Sequence, residues 1–591
     1  MDLKQSLNEF LHDLRRALAL LWSTDRPAHR LNFILQLVQA FLPVASLYFM
    51  KRMIEAVMHS QSTFYPVLLF IFSYAVTQLL MVFISQYSAY IDVKLQYKIT
   101  DQLSAQILQK AIDVDYEYYE NPSYHDTLHQ AQQQAAYKIP LLLKDFNTLV
   151  LNALTLIFLI VFFFSIHALF GLSFIVVFIP LAIVKWHSGH KLLQLDREFV
   201  PLEREAHYLN QTLTGINQAK EVRVLGFGRD FIRKFINIRT LIRQEKTSMH
   251  AKLTRYSLIA EAAEVIAITA VFIVLAKYTW EKVFTVAIFV IYLQGFQRLQ
   301  NSAKNFLQAL VQLFQQRVFM KDLFLFLDLG PSKTDSGTAP FHPGEKGLSA
   351  ENVSFTYPGT EKCILKNISV NCRPGKIIAL VGENGSGKTT LIKLFARLYE
   401  VKKGIITLDT TKIGDIETPS FRANTVFLFQ DFEKYFLSIE ENIALGAALS
   451  ADSENAAEHA ARQAQAHDFI SKLSKGYKTR IGRHFRESEQ LSGGQWQKIA
   501  LSRIFYRDAK LIVLDEPTSS LDPNAEFKIF ENLKNNLTDQ MIIIVTHRLY
   551  NLKIADYIYV LKDGTISQEG TFGQLANMDG EFRTMYENQK L

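Results

Sequence analysis

The sequence predicts a chain in two parts, a membrane α-helical bundle of six spans followed by a soluble α/β domain. Three observations support this fold class. Six apolar stretches lie in the first half of the 591 residues. In the second half, short β-rich runs alternate with amphipathic helices, the pattern of a largely parallel sheet. A glycine-rich loop follows one of these runs and precedes a helix.

Composition limits the class of protein. Hydrophobic residues make up 49% of the chain and charged residues only 20%, so part of it is expected to lie in lipid. A chain of 591 residues is too long for one hydrophobic core. The net charge of +7 fits basic cytoplasmic loops, although charge alone fits nucleic-acid binding equally well. With the spans considered, no nucleic-acid partner is expected. The 2 cysteines exclude a disulfide framework and a multi-cysteine metal site.

Each apolar stretch is close to the about 20 residues that cross the hydrocarbon core. The third and fourth are the most continuous. The first is interrupted by Gln36, Gln39 and Pro43, and the sixth by Gln294 and Gln297. The six stretches lie at Leu31–Met50, Val67–Ser85, Asn147–Ser165, Ala168–Val184, Ser257–Ala276 and Val283–Leu299.

Before the spans, Gln5–Trp22 predicts an amphipathic helix, either along the membrane surface or as an ordinary surface helix. The segments between spans two and three and between four and five run for about 60–70 residues each, far beyond ordinary loops. Their apolar periodicity predicts long helices on one side of the membrane. Most flanking Lys and Arg lie in these segments, so the positive-inside rule places them, both termini and the second domain in the cytoplasm. The expected location is the bacterial inner (plasma) membrane.

The composition changes after the sixth span. Residues 329–347 are rich in Pro, Gly, Ser and Thr and predict a linker. The predicted domains are therefore 1–328, with an N-terminal helix and six spans, and 348–591, which is α/β. Because the first span begins near residue 31, no protease domain is expected ahead of it.

The glycine-rich loop reads GENGSGKTT and satisfies the G-x-x-x-x-G-K-[ST] pattern. Its backbone N–H groups and the following helix N-terminus suit phosphate binding. We expect Lys388 to bridge the β- and γ-phosphates of ATP and Thr389 to ligate Mg²⁺. The loop residues assigned to ATP are Gly382, Asn384, Gly385, Ser386, Gly387, Lys388, Thr389 and Thr390.

The run LIVLDE is a buried-type strand that ends in two carboxylates. Acids at the end of such a strand are costly unless they serve a cation or a proton transfer. Asp515 therefore fits coordination of Mg²⁺ through water, and Glu516 fits the general base or polariser of the attacking water.

LSGGQ, at 491–495, carries the resemblance to a known family: it matches the signature of ATP-binding-cassette (ABC) proteins. The whole chain resembles a half-transporter of the ABC exporters. The resemblance implies that the signature of one subunit closes over ATP held by the glycine-rich loop (the P-loop) of the other. The signature residues implied to contact ATP are Ser492, Gly493, Gly494 and Gln495.

The same resemblance implies roles for four further residues. Tyr357 resembles the aromatic residue that stacks on adenine, and Gln430 the glutamine that senses Mg²⁺. Asp522 resembles the aspartate that couples the two sites, and His547 the histidine that contacts the γ-phosphate. The stretch before the signature, GRHFRESEQ, departs from the family pattern, and Glu487 is the candidate replacement for its acid.

The resemblance also implies two coupling segments, at Asp113–Leu128 and Gly215–Phe231, that contact the ATPase domains. As isolated sequence, each could also be a polar turn between helices. Glu261 and Glu264 lie near the inner part of span five. They predict contact with a cationic or polar substrate; alternatively, they lie at or below the headgroups, or pair with Arg255. The glutamines of spans one and six either line a polar cavity or join helices.

Because Glu516, His547 and the signature are intact, the resemblance favours a homodimer over a heterodimer. Its expected partners are membrane lipid and a transported substrate. The predicted function is ATP-driven export of a peptide, drug-like molecule or natural product. The alternative is flipping of a lipid or lipid-linked oligosaccharide. A third hypothesis, ATP-driven regulation without transport, is disfavoured by the six spans.

Overall fold

The computed structural model describes residues 3–59, 64–120, 128, 136–216, 218–330, 337–342, 344–446, 453–482, 485–518, 520–536 and 539–589. The chain divides into two compact units. Unit 1 comprises Met1–Ile112 and His125–Leu329, and unit 2 comprises Asp113–Tyr124 and Gly330–Leu591. Unit 2 therefore includes a segment that the sequence analysis assigned to the membrane domain, and the domain limits stay a prediction.

Helices form the described residues up to Leu329. They are α1 (Leu3–Thr24), α2 (Arg26–His59), α3 (Tyr65–Asp113), α4 (Tyr116–Tyr119, in unit 2), α5 (Ala136–Ile166), α6 (Ala168–Thr214), α7 (Ala219–Val224), α8 (Gly228–Trp280), α9 (Val286–Gln315) and α10 (Arg317–Leu327).

Four of the described helical segments are long and apolar enough to cross a membrane: Arg26–Met58, Tyr65–Asp113, Lys138–Ile166 and Gly228–Trp280. They contain the predicted spans one, two, three and five. The predicted fourth and sixth spans are helical but are not among the four, so six spans stay a prediction.

The start of the sixth predicted span, Val283, is wrong by three residues. Helix α9 begins at Val286 because Thr285 caps it, its side chain accepting a hydrogen bond from the Ile288 N–H. Gln294 and Gln297 lie within this helix, as the sequence indicated.

The long helices expected between the spans are confirmed. Helix α3 has 49 residues, a length of about 74 Å at the usual rise. Beyond the apolar stretch its buried residues recur every fourth position along one face, at Ile91, Leu95, Ile99, Leu103 and Ile107. The same helix exposes large apolar side chains in its first half, including Leu79 at 70% and Phe83 at 68%. Such side chains are removed from water only by lipid or by another chain.

The amphipathic helix predicted at Gln5–Trp22 is α1. It buries Phe10, Ala17 and Leu21 on one face. Arg16, outside this face, pairs with Asp328 near the end of unit 1.

Unit 2 contains two sheets. A six-stranded sheet has the order β10-β9-β3-β8-β7-β6, and all its neighbouring strands are parallel except the β9–β10 pair. Its strands are β3 (Ile377–Gly382), β6 (Thr425–Leu428), β7 (Leu511–Asp515), β8 (Met541–Val545), β9 (Tyr557–Lys562) and β10 (Thr565–Gly570). The predicted strands in KIIALVG, LIVLDE and MIIIVTH are thus confirmed as the adjacent strands β3, β7 and β8, and they are buried almost throughout because both faces are covered.

The second sheet is antiparallel, with the order β2-β1-β4-β5, and the sequence analysis did not predict it. Its strands are β1 (Leu348–Thr356), β2 (Cys363–Cys372), β4 (Lys403–Leu408) and β5 (Thr411–Lys412). The described α-helices of unit 2 after β3 are α11 (Lys388–Phe395), α12 (Thr418–Asn424), α13 (Ile439–Ala444), α14 (Ser453–Gln463), α15 (His467–Ile470), α16 (Gly493–Tyr506), α17 (Pro523–Asn536), α18 (Phe572–Asn577) and α19 (Glu581–Asn588).

Candidate functional site

The glycine-rich loop joins the carboxyl end of β3 to the first residue of α11. Gly382, Gly385 and Gly387 have positive φ angles of 148°, 82° and 108°. At Gly387 a Cβ would also lie 2.5 Å from Leu365 Cδ2, so a larger residue does not fit. The loop thus curls back and leaves N–H groups at the start of α11 without helical partners. Asn384 and Gly385 are exposed on this loop, and Ser386 is buried beneath it.

Lys388 is the first residue of α11, and its side chain folds over the loop. Its Nζ donates to the carbonyl oxygens of Gly382 and Glu383, each at 2.8 Å. Burial lowers the pKa of Lys388, while the nearby Glu516 and Asp515 carboxylates oppose that shift. The ammonium group is therefore held by the loop carbonyl oxygens and is stabilised by the charges of the two acids.

Asp515 is the last residue of β7 and is 2% exposed. Its Oδ2 accepts a hydrogen bond from Thr389 Oγ1 at 3.1 Å. Burial raises the pKa of Asp515 to about 6, and the Thr389 hydrogen bond only partly offsets this. The exposed Thr389 hydroxyl and the Asp515 carboxylate form a small oxygen-rich surface next to the loop.

Two residues that are distant in the sequence contact the Glu516 carboxylate. Gln430 Nε2 donates to Glu516 Oε2 at 2.8 Å, and His547 Nδ1 lies 3.1 Å from Glu516 Oε1. Gln430 and His547 follow β6 and β8, which flank β7 in the sheet. Because the carboxyl ends of parallel strands meet at one edge, these side chains converge there.

Tyr357 lies just after β1 and is half-buried. Its hydroxyl is 3.0 Å from Thr390 Oγ1 on α11. Its ring meets Phe355 and Tyr399 edge to face, with centroids 5.1 and 5.3 Å apart. The antiparallel sheet thus brings an aromatic face to the helix that follows the loop.

The signature sequence starts α16, as predicted. Ser492 is the N-cap: its Oγ accepts from the Gln495 N–H at 3.3 Å, and Gln495 Oε1 accepts from the Ser492 N–H at 2.8 Å. This reciprocal capping box holds the first turn. Gly493 is exposed, and no atom lies within 4 Å of the position of an added Cβ, whereas at Gly494 the Ser520 carbonyl oxygen lies 3.0 Å away. Within the described residues no hydrogen bond joins the signature to the P-loop.

Asp522 is exposed and precedes α17. Its Oδ1 accepts from the Ala525 N–H at 2.9 Å, and this backbone bond is the largest cause of its lowered pKa. Among the described residues, no hydrogen bond joins Asp522 to Gln430, Glu516 or His547.

Sequence reasoning missed two buried connections around this site. Gln497, 2% exposed, donates to the Glu516 carbonyl oxygen at 3.4 Å and accepts from the Ser520 N–H at 2.8 Å. It therefore connects the signature helix to the segment that follows β7. The one indication in the sequence was the position of Gln497 in helix α16, two residues after the signature.

The second connection centres on Glu526, which is fully buried on α17. It accepts hydrogen bonds from Thr518 and, at 2.7 Å, from Arg548 Nη1. Arg548 directly follows His547, so the pair ties the segment after β8 to α17.

The remaining candidates are placed as follows. In the first coupling segment, residues 121–127 lie outside the described part, while Asp113–Glu120 belongs to unit 2. The second contains the short helix α7, where Val224 is 84% exposed; Asn217 is outside the description. Glu487 pairs with Lys475 at 3.0 Å, and its neighbours 483–484 are not described.

Neither acid of the predicted fifth span, Glu261 or Glu264, pairs with Arg255 among the described contacts. Glu264, 5% exposed, accepts from Gln300 Nε2 at 2.6 Å and lies 3.6 Å from Lys304 Nζ. Glu261 lies 3.8 Å from Lys185 Nζ. The partners come from neighbouring helices α9 and α6, which the sequence spacing could not reveal.

Comparison with known proteins agrees with this geometry. Residues 365–519 match the family described as ABC transporter. The subtilin transport ATP-binding protein SpaT of Bacillus subtilis is 28% identical over 94% of this chain and 90% of its own length. The nisin transport ATP-binding protein NisT of Lactococcus lactis subsp. lactis is 27% identical over 94% and 93%. An ATP-dependent lipid A-core flippase of Haemophilus influenzae is 38% identical over 45% of each chain.

A solved structure, a bacterial Atm1-family ABC exporter with ATP bound, superimposes with a TM-score of 0.79. It covers 96% of this chain and 98% of its own, at 19% identity, and therefore supports the fold. The similarity to SpaT, NisT and the exporter structure thus extends over nearly the whole length of this chain, including its long apolar helices and its P-loop domain. The chain therefore contains an ABC transporter ATPase domain and is similar to ABC exporters over nearly its whole length; it is an integral membrane protein in which ATP hydrolysis is coupled to transport.

Proposed function

We propose that Glu516 is the general base of ATP hydrolysis, supported by Gln430 and His547. The observation that carries this is the convergence of both side chains on one carboxylate, at 2.8 and 3.1 Å. The Glu516 side chain is only 12% exposed, so a proton that it accepts from water is shielded from solvent. The nearby His547, which is 55% exposed, can pass that proton on to solvent. Tyr357 is proposed to stack on the adenine base.

The residues present fit ATP and Mg²⁺. The loop N–H groups and Lys388 suit phosphate oxygens, which Lys388 reaches by exchanging its carbonyl partners. Thr389, Asp515 and Gln430 offer oxygen ligands, the type that Mg²⁺ prefers alongside water and substrate phosphates. When bound, the ion would neutralise phosphate oxygens; binding, orientation and acceptance of the proton come from the chain's own residues.

We further propose that two copies share two ATP sites, each made from the P-loop of one copy and the signature of the other. Exporters of this kind work as dimers. In one chain the exposed Ser492 and Gly493 are not hydrogen-bonded to the P-loop among the described residues, and the space above Gly493 is open. Since Glu516, His547 and the signature are all present, a homodimer has two competent sites. Asp522 then lies at the contact between the copies.

For the membrane part, we propose six spans, a linker at 329–347 and cytoplasmic placement of both termini and of the 348–591 domain in the bacterial inner membrane. Four spans meet the length and apolarity that crossing needs. The fourth and sixth segments are helical and complete an even number, which keeps both termini on one side.

We propose that the cargo is a peptide, drug-like molecule or natural product. The two relatives that match nearly full-length are named for transport of subtilin and nisin. The flippase relatives support the alternative, a lipid or lipid-linked oligosaccharide, but match over a smaller share of the chain.

The test is ATPase activity of the purified chain in nanodiscs, beside Glu516→Gln, with candidate peptides and lipids added. We expect hydrolysis by the wild type alone, a loss of at least about 100-fold in Glu516→Gln and retained ATP binding in that variant. Stimulation by peptides supports peptide export, and stimulation by lipids alone supports the flippase. Hydrolysis that appears only after a different protein is added would contradict the homodimer.

A further inference from the structure

The segment that follows helix α3 is part of unit 2 and packs against other elements of that unit. It contains the short helix α4 and ends, in the described part, at Glu120. Glu120 Oε1 accepts a hydrogen bond from Lys393 Nζ at 2.7 Å, and Glu120 Oε2 accepts one from the Tyr399 hydroxyl. Lys393 lies on α11, the helix that begins at the end of the P-loop, and Tyr399 lies four residues after the helix ends. The contact therefore reaches the element that carries the ATP site.

The same two residues contact Tyr357, the proposed adenine residue. The Tyr399 ring, 5% exposed, meets Tyr357 and Tyr116 edge to face, with centroids 5.3 and 5.8 Å apart. The Lys393 ammonium lies 5.6 Å from the ring centroid of Tyr116, 5.7 Å from Tyr357 and 5.9 Å from Tyr399. These are cation–π distances. One buried ring and one charge thus contact both the segment and Tyr357.

Glu120 matters because it satisfies both groups at once. Burial opposes ionisation of Lys393, but the hydrogen bond to Glu120 raises the pKa of Lys393 above its ordinary value. Burial likewise opposes ionisation of Glu120, but bonds from Lys393 and Tyr399 lower its pKa. If the segment moved away, the Lys393 ammonium and the Tyr399 hydroxyl, both largely covered, would lose their hydrogen-bond acceptor. Both side chains would then change position beside Tyr357.

We propose that Glu120, Lys393 and Tyr399 are positioning residues that link docking of the segment Asp113–Glu120 to the orientation of Tyr357, and so to the affinity of the site for the adenine base. The inference rests on the proposed adenine contact of Tyr357. Linkage is reciprocal, so a bound base holds the segment as much as the docked segment favours the base. The docking of the segment Asp113–Glu120 is thereby sensed at the base, separately from the phosphates.

The test compares dissociation constants of ATP and of base-free ribose 5-triphosphate. Both displace a fluorescent ATP analogue from the full chain in nanodiscs, in EDTA to prevent hydrolysis. We expect Glu120→Gln and Lys393→Gln to weaken ATP by about fivefold or more and to leave ribose 5-triphosphate unchanged. The double variant should be no weaker than the weaker single variant, because both remove one link. Tyr399→Phe keeps the ring packing and should shift ATP in the same direction.

The matched control is Glu587→Gln, which removes a carboxylate from the Arg583 ion pair, 2.9 Å long, on α19. It should change neither constant. Equal weakening of both ligands would mean a merely structural role for the cluster and would overturn the inference. Unchanged ATP binding in Glu120→Gln and Lys393→Gln, with weakened binding in Tyr357→Ala, overturns the inference alone. Unchanged binding in Tyr357→Ala overturns the adenine contact itself.

Discussion

At the residue scale, the adjacent carboxylates Asp515 and Glu516 have different surroundings. Asp515 is enclosed at the end of β7, where burial raises its pKa and Thr389 is its hydrogen-bond donor. Glu516 has a positive φ of 48°, a conformation that costs about 1–3 kcal/mol for such a residue. Strain of this kind is tolerated where surrounding contacts determine the conformation, and Gln430 and His547 supply them.

The buried pair of Glu526 and Arg548 gives the first prediction. Arg548→Ala removes the Arg548 hydrogen bond from the fully buried Glu526 carboxylate, which also accepts one from Thr518. Removing one partner of a buried pair typically costs about 3–5 kcal/mol. We therefore expect a clearly lower thermal unfolding midpoint for the purified full chain, measured by scanning fluorimetry.

The control for this variant is Arg583→Ala, which breaks the exposed pairs with Asp579 and Glu587. Exposed pairs contribute about 0–1 kcal/mol, so its midpoint should stay near that of the wild type. Equal midpoints for both variants would show that Glu526 finds another partner.

Cys372 gives a prediction with pH dependence. It is 1% exposed, and burial raises the pKa of its thiol to about 12 from an ordinary 9.0. The folded state therefore favours the neutral thiol, and its contribution to stability is lost as pH rises from about 9 to 12. In a Cys363→Ser background, maleimide should not label Cys372 in the native chain at pH 7–9 but should label it after denaturation. Rapid native labelling would contradict its burial.

At the scale of elements, the start of α16 combines a structural and a proposed ligand role in Ser492. Its capping box with Gln495 stabilises the first turn, and loss of such a cap costs about 0.5–2 kcal/mol. Helix α13 offers a matched case, since Ser438 forms the same box with Glu441.

Comparison of Ser492→Ala with Ser438→Ala separates the two roles. Both variants should lower stability by a similar amount, about 1 kcal/mol, because each loses one cap. Only Ser492→Ala should reduce the ATPase rate, because only Ser492 lies in the signature. Equal loss of ATPase activity in both variants would reduce the role of Ser492 to capping. The measurements are unfolding midpoints and steady-state ATPase rates in nanodiscs.

At the scale of the whole molecule, the proposed shared sites make two inactive variants complementary. Lys388→Ala removes the P-loop ammonium, and Gly493→Glu places a negative charge in open space at the signature, where no atom of the same chain is displaced. In a mixed dimer both defects fall on one site, and the other site is intact. Random pairing of equal amounts leaves roughly a quarter of the wild-type sites.

We therefore expect the mixture to recover ATPase activity that neither variant has alone. The matched control combines both substitutions in one chain and mixes it with the wild type, which spoils both sites of every mixed dimer. In that control only the wild-type homodimers keep intact sites, so about a quarter of the wild-type activity should remain. Absence of activity in the mixture of the two single variants, with crosslinked mixed dimers present, would contradict sites shared between copies, as would about half of the wild-type activity in the control. The measurement is steady-state ATPase after co-reconstitution.

Local sequence was sufficient for the elements that carry the chemistry. The P-loop, the strand ending in Asp515 and Glu516, the signature cap and the long helices were all predicted, because each depends on spacing and residue type within a short window. The antiparallel sheet was missed because its strands pair over bulges and alternate irregularly. The start of α9 was wrong because the Thr285 cap, and not hydropathy, decides where that helix begins.

The sequence by itself determined the class of the protein, its ATP-binding motifs and the identity of the residues proposed to act on ATP. Only the tertiary structure decided which side chains meet. Gln430, Glu516 and His547 converge because their strands are neighbours in one parallel sheet. Glu264 pairs with Lys304 rather than Arg255 because helices α8 and α9 pack side by side. Such contacts depend on the packing of segments distant in sequence, which no local pattern encodes.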